Sequence, residues 1–162
     1  MLERGTGHPG SAPPSPRHSD CDNTTTLITD LPYGLRAAEV AREAVAVALH
    51  GIEADLLDDA RLIGSELATN AFTSGRPPLV LCVDRKSSAV DGLEVEITVT
   101  DGGCPDLAPA SPRAPQEEAE SGRGLVIVEA LADAWSLTTG AHGTRAWCRL
   151  KRLANPSPTS TP

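Results

Sequence analysis

From Leu56 to Ala71 apolar side chains return every third or fourth position. Leu56, Ala60, Ile63, Leu67 and Ala71 form one stripe when the chain turns by about 100° per residue. That periodicity predicts a helix over residues 55–72, with Gly75 just beyond its end. An Ala-rich stretch over residues 35–49 predicts another, closed at His50-Gly51, where a glycine suits a C-terminal cap. The aliphatic run over residues 125–134 predicts a third. Elsewhere the period is two. TTTLITDLP, PPLVLCVD and LEVEITVTD read as strands, the last two separated by a polar loop, RKSSAVDG. WSLTT and TRAWCRLK read as a hairpin around Gly140-Ala141-His142-Gly143.

The resulting order, β-α-α-β-β-α-β-β, sets successive strands beside one another as hairpins. It predicts an α+β fold: a two-layer sandwich whose mixed, mostly antiparallel sheet is covered on one face by three helices, not a Rossmann-type alternation. Residues 1–23 and 154–162 are rich in Pro, Gly and Ser and bury too little apolar surface to offset their ordering entropy. Both are expected to be disordered tails around a single domain over residues 24–153. About 130 residues suffice for a substantial core.

Composition narrows the function. Aromatic residues make up only 2% of the chain, so Leu, Val, Ile and Ala must build the core. A net charge of −8 offers no basic stripe to displace phosphate counterions, which argues against direct nucleic-acid binding. It also requires that any phosphorylated ligand be held by local groups or a divalent metal. No apolar run approaches the roughly 20 residues that span a bilayer, and the first residues lack the apolar centre of a secretion signal. Cys21, Cys82, Cys104 and Cys148 are widely spaced and form no CxxC pair. A reduced, cytoplasmic protein is the plain reading, with a disulfide or zinc framework as its alternative.

Three places can carry chemistry. Glu66 and Asn70 lie four residues apart along one edge of the apolar stripe. They are either a ligand-answering acid-amide pair, since a polar group at a buried border is costly alone, or an exposed pair on a solvated flank. In EVEITVTDGG, Val95, Ile97 and Val99 alternate with Glu94, Glu96, Thr98 and Thr100, so Asp101 belongs to the inward set. A carboxylate there can accept from a flat ligand's amino group, with Gly102 and Gly103 keeping the space open; an ordinary Asp-Gly turn is the alternative. In SGRGL, Gly122 and Gly124 precede the third helix, where unpaired N–H groups and the helix dipole favour an anion and Arg123 adds a fixed charge. The alternative is a plain N-terminal turn capped by Ser121. Thr144 shares its parity with Ala146, Cys148 and Leu150, so its hydroxyl faces inward toward either a structural hydrogen bond or a ligand.

Taken in order, ELATN, DGGCP and SGRGL resemble the N box and two glycine boxes of the GHKL, or Bergerat-fold, ATPase superfamily. The endings ALADAW and GTRAWCRL look like the stand-alone anti-sigma-factor serine/threonine kinase group, and the resemblance spans residues 27–151. It implies that ATP binds with Mg²⁺ held by Asn70, that Asp101 accepts from the adenine amino group with Thr144 beside it, and that Gly103, Gly122, Arg123, Gly124 and Leu125 line the nucleotide. It implies further that residues 105–120 form a lid and that Glu66 is the general base, taking a proton from a serine on an anti-sigma-factor antagonist. A sigma factor is the other implied partner, and homodimers occur among such proteins. One departure stands out: relatives carry a basic or histidine residue after the N box, where this chain reads Phe72-Thr73-Ser74-Gly75. It leaves three readings: a kinase, a non-catalytic ATP-dependent binding module, and a structural domain without nucleotide.

Overall fold

A computed structural model describes residues 23–102, 122–140 and 142–154, with side chains omitted at 122 and 123. Five strands and three helices follow in the expected order: β1 (Asn23–Leu31), α1 (Ala37–Ala48), α2 (Ala54–Ser74), β2 (Leu79–Ser88), β3 (Gly92–Thr100), α3 (Gly122–Leu131), β4 (Ala134–Gly140) and β5 (Gly143–Arg152). The strands form one sheet in the order β1-β2-β3-β5-β4. All four pairings are antiparallel, so the sheet is not mixed among the described residues.

The period-two pattern decides which face is covered. Leu79, Leu81 and Val83 of β2, Val95, Ile97 and Val99 of β3, and Ala146, Cys148 and Leu150 of β5 all point to one side and are buried. Against them lie Ala41 and Val45 of α1, and Leu56, Ala60, Ile63 and Leu67 of α2. Each fully buried Leu, Ile or Val contributes roughly 1.5–3 kcal/mol. The two helices pack closely because Gly64 faces Val45; a Cβ on Gly64 would lie 3.0 Å from Val45 Cγ2. Val128 brings α3 into the same core, giving one helical layer on one sheet face.

The opposite face is polar. Lys151 Nζ lies 2.8 Å from Glu94, and Lys86 lies 3.5 Å from Glu94 and 3.7 Å from Glu96, a chain of charges across β2, β3 and β5. The Arg149 guanidinium stacks 5.7 Å from the centre of the Trp147 ring.

Several boundaries differ from expectation. β2 does not end at Asp84 but runs on through Ser88, pairing Arg85–Ser87 with β1 and Arg85–Ser88 with β3. The polar RKSS stretch is therefore strand, because ladder hydrogen bonds and not apolar alternation hold it. α3 starts at Gly122, three residues earlier than expected, and stops at Leu131. Asn23, expected in the tail, already pairs with Ser87 in β1. The remainder of the expected tails and the segment assigned as a lid lie outside the described residues.

Candidate functional site

α2 forms the wall along which the chemistry-bearing residues gather. At its C-terminal end stands Asp101, one residue past the end of β3 and only 9% exposed. A buried carboxylate must be hydrogen-bonded to be tolerable. The Thr144 N–H donates to Asp101 Oδ1 at 3.1 Å, and the Asp101 N–H donates to the Thr144 carbonyl at 3.1 Å. The pair extends the β3–β5 ladder one step beyond Thr100↔Arg145. The Thr144 hydroxyl, half-buried, donates across the hairpin to Thr139 Oγ1 at 3.3 Å.

Gly75, the C-cap of α2, meets this carboxylate from the other side. A Cβ built on Gly75 would collide with Oδ2 and Cγ of Asp101 and lie 2.7 Å from the Ala71 carbonyl. Its φ of −109° is open to any residue, so space alone calls for glycine here. Next along, the Gly102 N–H donates to the Arg76 carbonyl at 2.6 Å, and a Cβ on Gly102 would strike the Pro77 carbonyl. The geometry thus gives Gly102 a backbone-packing reason, where the sequence had pointed to clearance for a ligand. Gly103 lies outside the described residues.

Pattern reading missed Tyr33. Its hydroxyl donates to the Gly75 carbonyl at 3.0 Å, and its ring meets Phe72 edge-on, 5.2 Å between centroids at 77°. The available signal was scarcity: with so few aromatics in the chain, Phe72 directly beyond the N box was worth a partner.

Farther back along α2, Glu66 and Asn70 are both half-buried at the edge of the Ile63–Leu67 stripe. The first turn of α3 crosses directly over Glu66. A Cβ on Gly124 would sit 2.8 Å from Glu66 Oε2, 3.5 Å from its Cβ and 3.8 Å from its Cδ. Gly122 and Gly124 therefore lie inside the helix and do not precede it. The first four N–H groups of a helix lack intrahelical partners, and here they belong to Gly122, Arg123, Gly124 and Leu125. Their partial positive charge lies beside the Glu66 carboxylate. The Arg123 side chain is outside the described set.

Glu66 and Gly75 are nine residues apart on one helix, about 13 Å along its axis. The site is thus elongated, with a bonded carboxylate at one end and a carboxylate, an amide and a helix N-terminus at the other. Glycine at 75 lets the end of α2 pack against the Asp101 carboxylate, and glycine at 124 lets the first turn of α3 pack against Glu66. Among the described residues no three His, Cys, Asp or Glu cluster as a metal site. A hard cation there would take Asn70 and oxygens of the ligand itself, as Mg²⁺ commonly does. A cavity of about 560 Å³ opens elsewhere, lined by Thr24, Lys86, Ser88, Asp91, Glu94 and Lys151 among others, and none of the site residues borders it. Among the described residues no helix is long and apolar enough to cross a membrane.

The family model of the histidine kinase-like ATPase domain matches residues 31–150, a span that holds every one of these side chains. The chain belongs to the histidine kinase-like ATPase domain family. Such a domain binds ATP, and the α+β sandwich is the GHKL fold. A crystal structure of the RsbU and RsbW domains of Rv1364c from Mycobacterium tuberculosis aligns with this ATPase domain at a TM-score of 0.57 and 22% identity, covering 85% of this chain. That likeness is one of fold, and this chain spans 35% of the other's length. No curated protein matches the ATPase domain significantly.

Proposed function

We propose that this ATPase domain is a serine/threonine protein kinase of the anti-sigma-factor type, which phosphorylates a serine on an antagonist protein. The observation that carries the reading is the α3 turn laid over Glu66 with Asn70 one helical turn away, while Asp101 is held at the far end of the same helix. In this reading Asp101 accepts from the adenine amino group, and Thr144 fixes the carboxylate through its N–H. The N–H groups of Gly122 to Leu125, with Arg123 and the loop at Gly103, hold the phosphates. Asn70 would hold Mg²⁺ together with the nucleotide, and the ion would supply charge neutralisation. Glu66 takes the proton from the attacking serine hydroxyl as that oxygen bonds to the γ-phosphorus and the bond to the departing ADP oxygen breaks. The partners are an antagonist, a sigma factor or both; nucleic acid is not contacted directly, and a homodimer is compatible with the reading. The functional unit is residues 24–153, working in the cytoplasm.

One observation favours a second reading, a non-catalytic module that grips its partner in an ATP-dependent way. The residues that follow the N box, Phe72, Thr73 and Ser74, carry no cation: Phe72 packs on Tyr33, and the Thr73 hydroxyl turns back to the Thr69 carbonyl at 2.9 Å. Incubation with labelled ATP, Mg²⁺ and the cognate antagonist separates the two. Label that reaches the antagonist and vanishes in Glu66→Ala, with ATP binding retained, supports the kinase. Tight ATP binding without transfer supports the binder, and the absence of both returns the chain to a structural role.

A further inference from the structure

Tyr33 stands in the connection between β1 and α1, far from any motif, yet its side chain touches the end of α2. Its hydroxyl holds the Gly75 carbonyl, its ring rests edge-on against Phe72, and Gly75 is the backbone against which the Asp101 carboxylate is seated. The last turn of α2 has few other restraints. Gly75 is tied back by its N–H to the Ala71 carbonyl, the Arg76 carbonyl accepts from the Gly102 N–H at 2.6 Å, and Ser74, Arg76, Pro77 and Pro78 are otherwise exposed. An unanchored helix end frays. Fraying at Gly75 would open space beside the Asp101 carboxylate and loosen its seat against the helix end.

Tyr33 itself is 49% exposed, so a structural need to bury its ring does not explain where its hydroxyl points. We infer that Tyr33 is a positioning residue for base recognition: by clamping Gly75 it confines the Asp101 carboxylate to the orientation that reads an exocyclic amino group. This rests on the nucleotide reading above and adds the residue that sets base preference. The clamp acts through Asp101 alone, so it strengthens a bond to the amino group and leaves contacts to sugar and phosphate untouched.

The test compares Mg-ATP with the magnesium complex of purine riboside triphosphate, which lacks the 6-amino group, by calorimetry on the full chain and on Tyr33→Phe. A hydrogen bond to a charged group is worth about tenfold or more in affinity, so the wild type should prefer ATP by at least about tenfold. Tyr33→Phe keeps the ring contact and deletes only the clamp. Expected is a loss of about three- to tenfold in ATP affinity, no change for purine riboside triphosphate, and a melting temperature within a few degrees of wild type. Phe72→Leu, which removes the ring steadying Tyr33 and keeps the hydroxyl, should narrow the preference in the same direction. An unchanged preference in Tyr33→Phe, or equal weakening of both nucleotides, overturns the role given to Tyr33 while leaving the nucleotide site standing. A wild type that binds both nucleotides equally overturns base reading by Asp101 and the clamp with it. A wild type that binds neither overturns the nucleotide reading itself.

Discussion

Replacing Gly75 by Ala adds one methyl group in the place where the Asp101 carboxylate lies. Both Oδ2 and Cγ of Asp101 fall inside contact distance of the new Cβ, so the carboxylate must leave its seat. Backbone strain contributes nothing, because the Gly75 dihedrals suit alanine. Eviction breaks the 3.1 Å bond from the Thr144 N–H, a hydrogen bond to a charged group worth about 1.5–3 kcal/mol. Alanine restores about 0.4–1 kcal/mol by restricting the unfolded chain. The balance is a destabilisation of about 1–2 kcal/mol, or roughly 3–8 °C in melting temperature for a domain of this size. ATP affinity should fall by about 10- to 100-fold, since the reading carboxylate no longer faces the base. A double-mutant cycle with Asp101→Ala isolates the cause. With the carboxylate gone the clash with Asp101 disappears while the 2.7 Å approach to the Ala71 carbonyl remains, so the two substitutions should couple by at least about 1 kcal/mol, measured by urea denaturation and by calorimetry with Mg-ATP. Additive effects on both would refute the contact as the reason for glycine at 75.

Other perturbations probe the opposite end of the helix and the core. Gly124→Ala places a methyl 2.8 Å from Glu66 Oε2, the mobile tip of a side chain, so stability should stay within about 1 kcal/mol while phosphotransfer drops by about tenfold or more through displacement of the base; thermal melts and label transfer are read side by side. Asn70→Ala should abolish the gain in ATP affinity that Mg²⁺ provides and leave affinity in EDTA unchanged, as calorimetry with and without the metal would show. Burial pushes the Cys148 thiol up to about 12. Above about pH 8.5 the unfolded chain loses a proton that the folded chain keeps, so stability must fall as pH rises, by at most about 1.4 kcal/mol per unit from this group. Urea titrations at pH 8 and pH 10 should show a steeper loss in wild type than in Cys148→Ala.

Much of the fold could be read along the chain because the core elements carry undiluted periods. The stripe from Leu56 to Ala71 located α2, and the alternation of Val95, Ile97 and Val99 placed Asp101 on the helix-facing side. The end of β2 escaped because it extends beyond the helical layer. There Arg85 occupies a helix-facing position and donates to the His50 carbonyl at 3.0 Å, so no apolar residue marks the alternation. The start of α3 escaped because Gly122 and Gly124 read as helix breakers. The reason for Gly124 is tertiary: the first turn must pass over Glu66, a residue on another helix. Tyr33 and Gly75 are 42 positions apart, and nothing local to either announces the other. The sequence thus exposes residues whose role follows from their own element, and hides those defined by what crosses them.

The most direct measurement is calorimetric titration of the full chain and of Asp101→Ala with Mg-ATP. Expected is saturable one-site heat for the wild type and an affinity at least about tenfold weaker for the variant, with circular dichroism showing both folded. Equal affinities, or no heat from a folded wild type, would contradict recognition of the base by Asp101 and the site built around it.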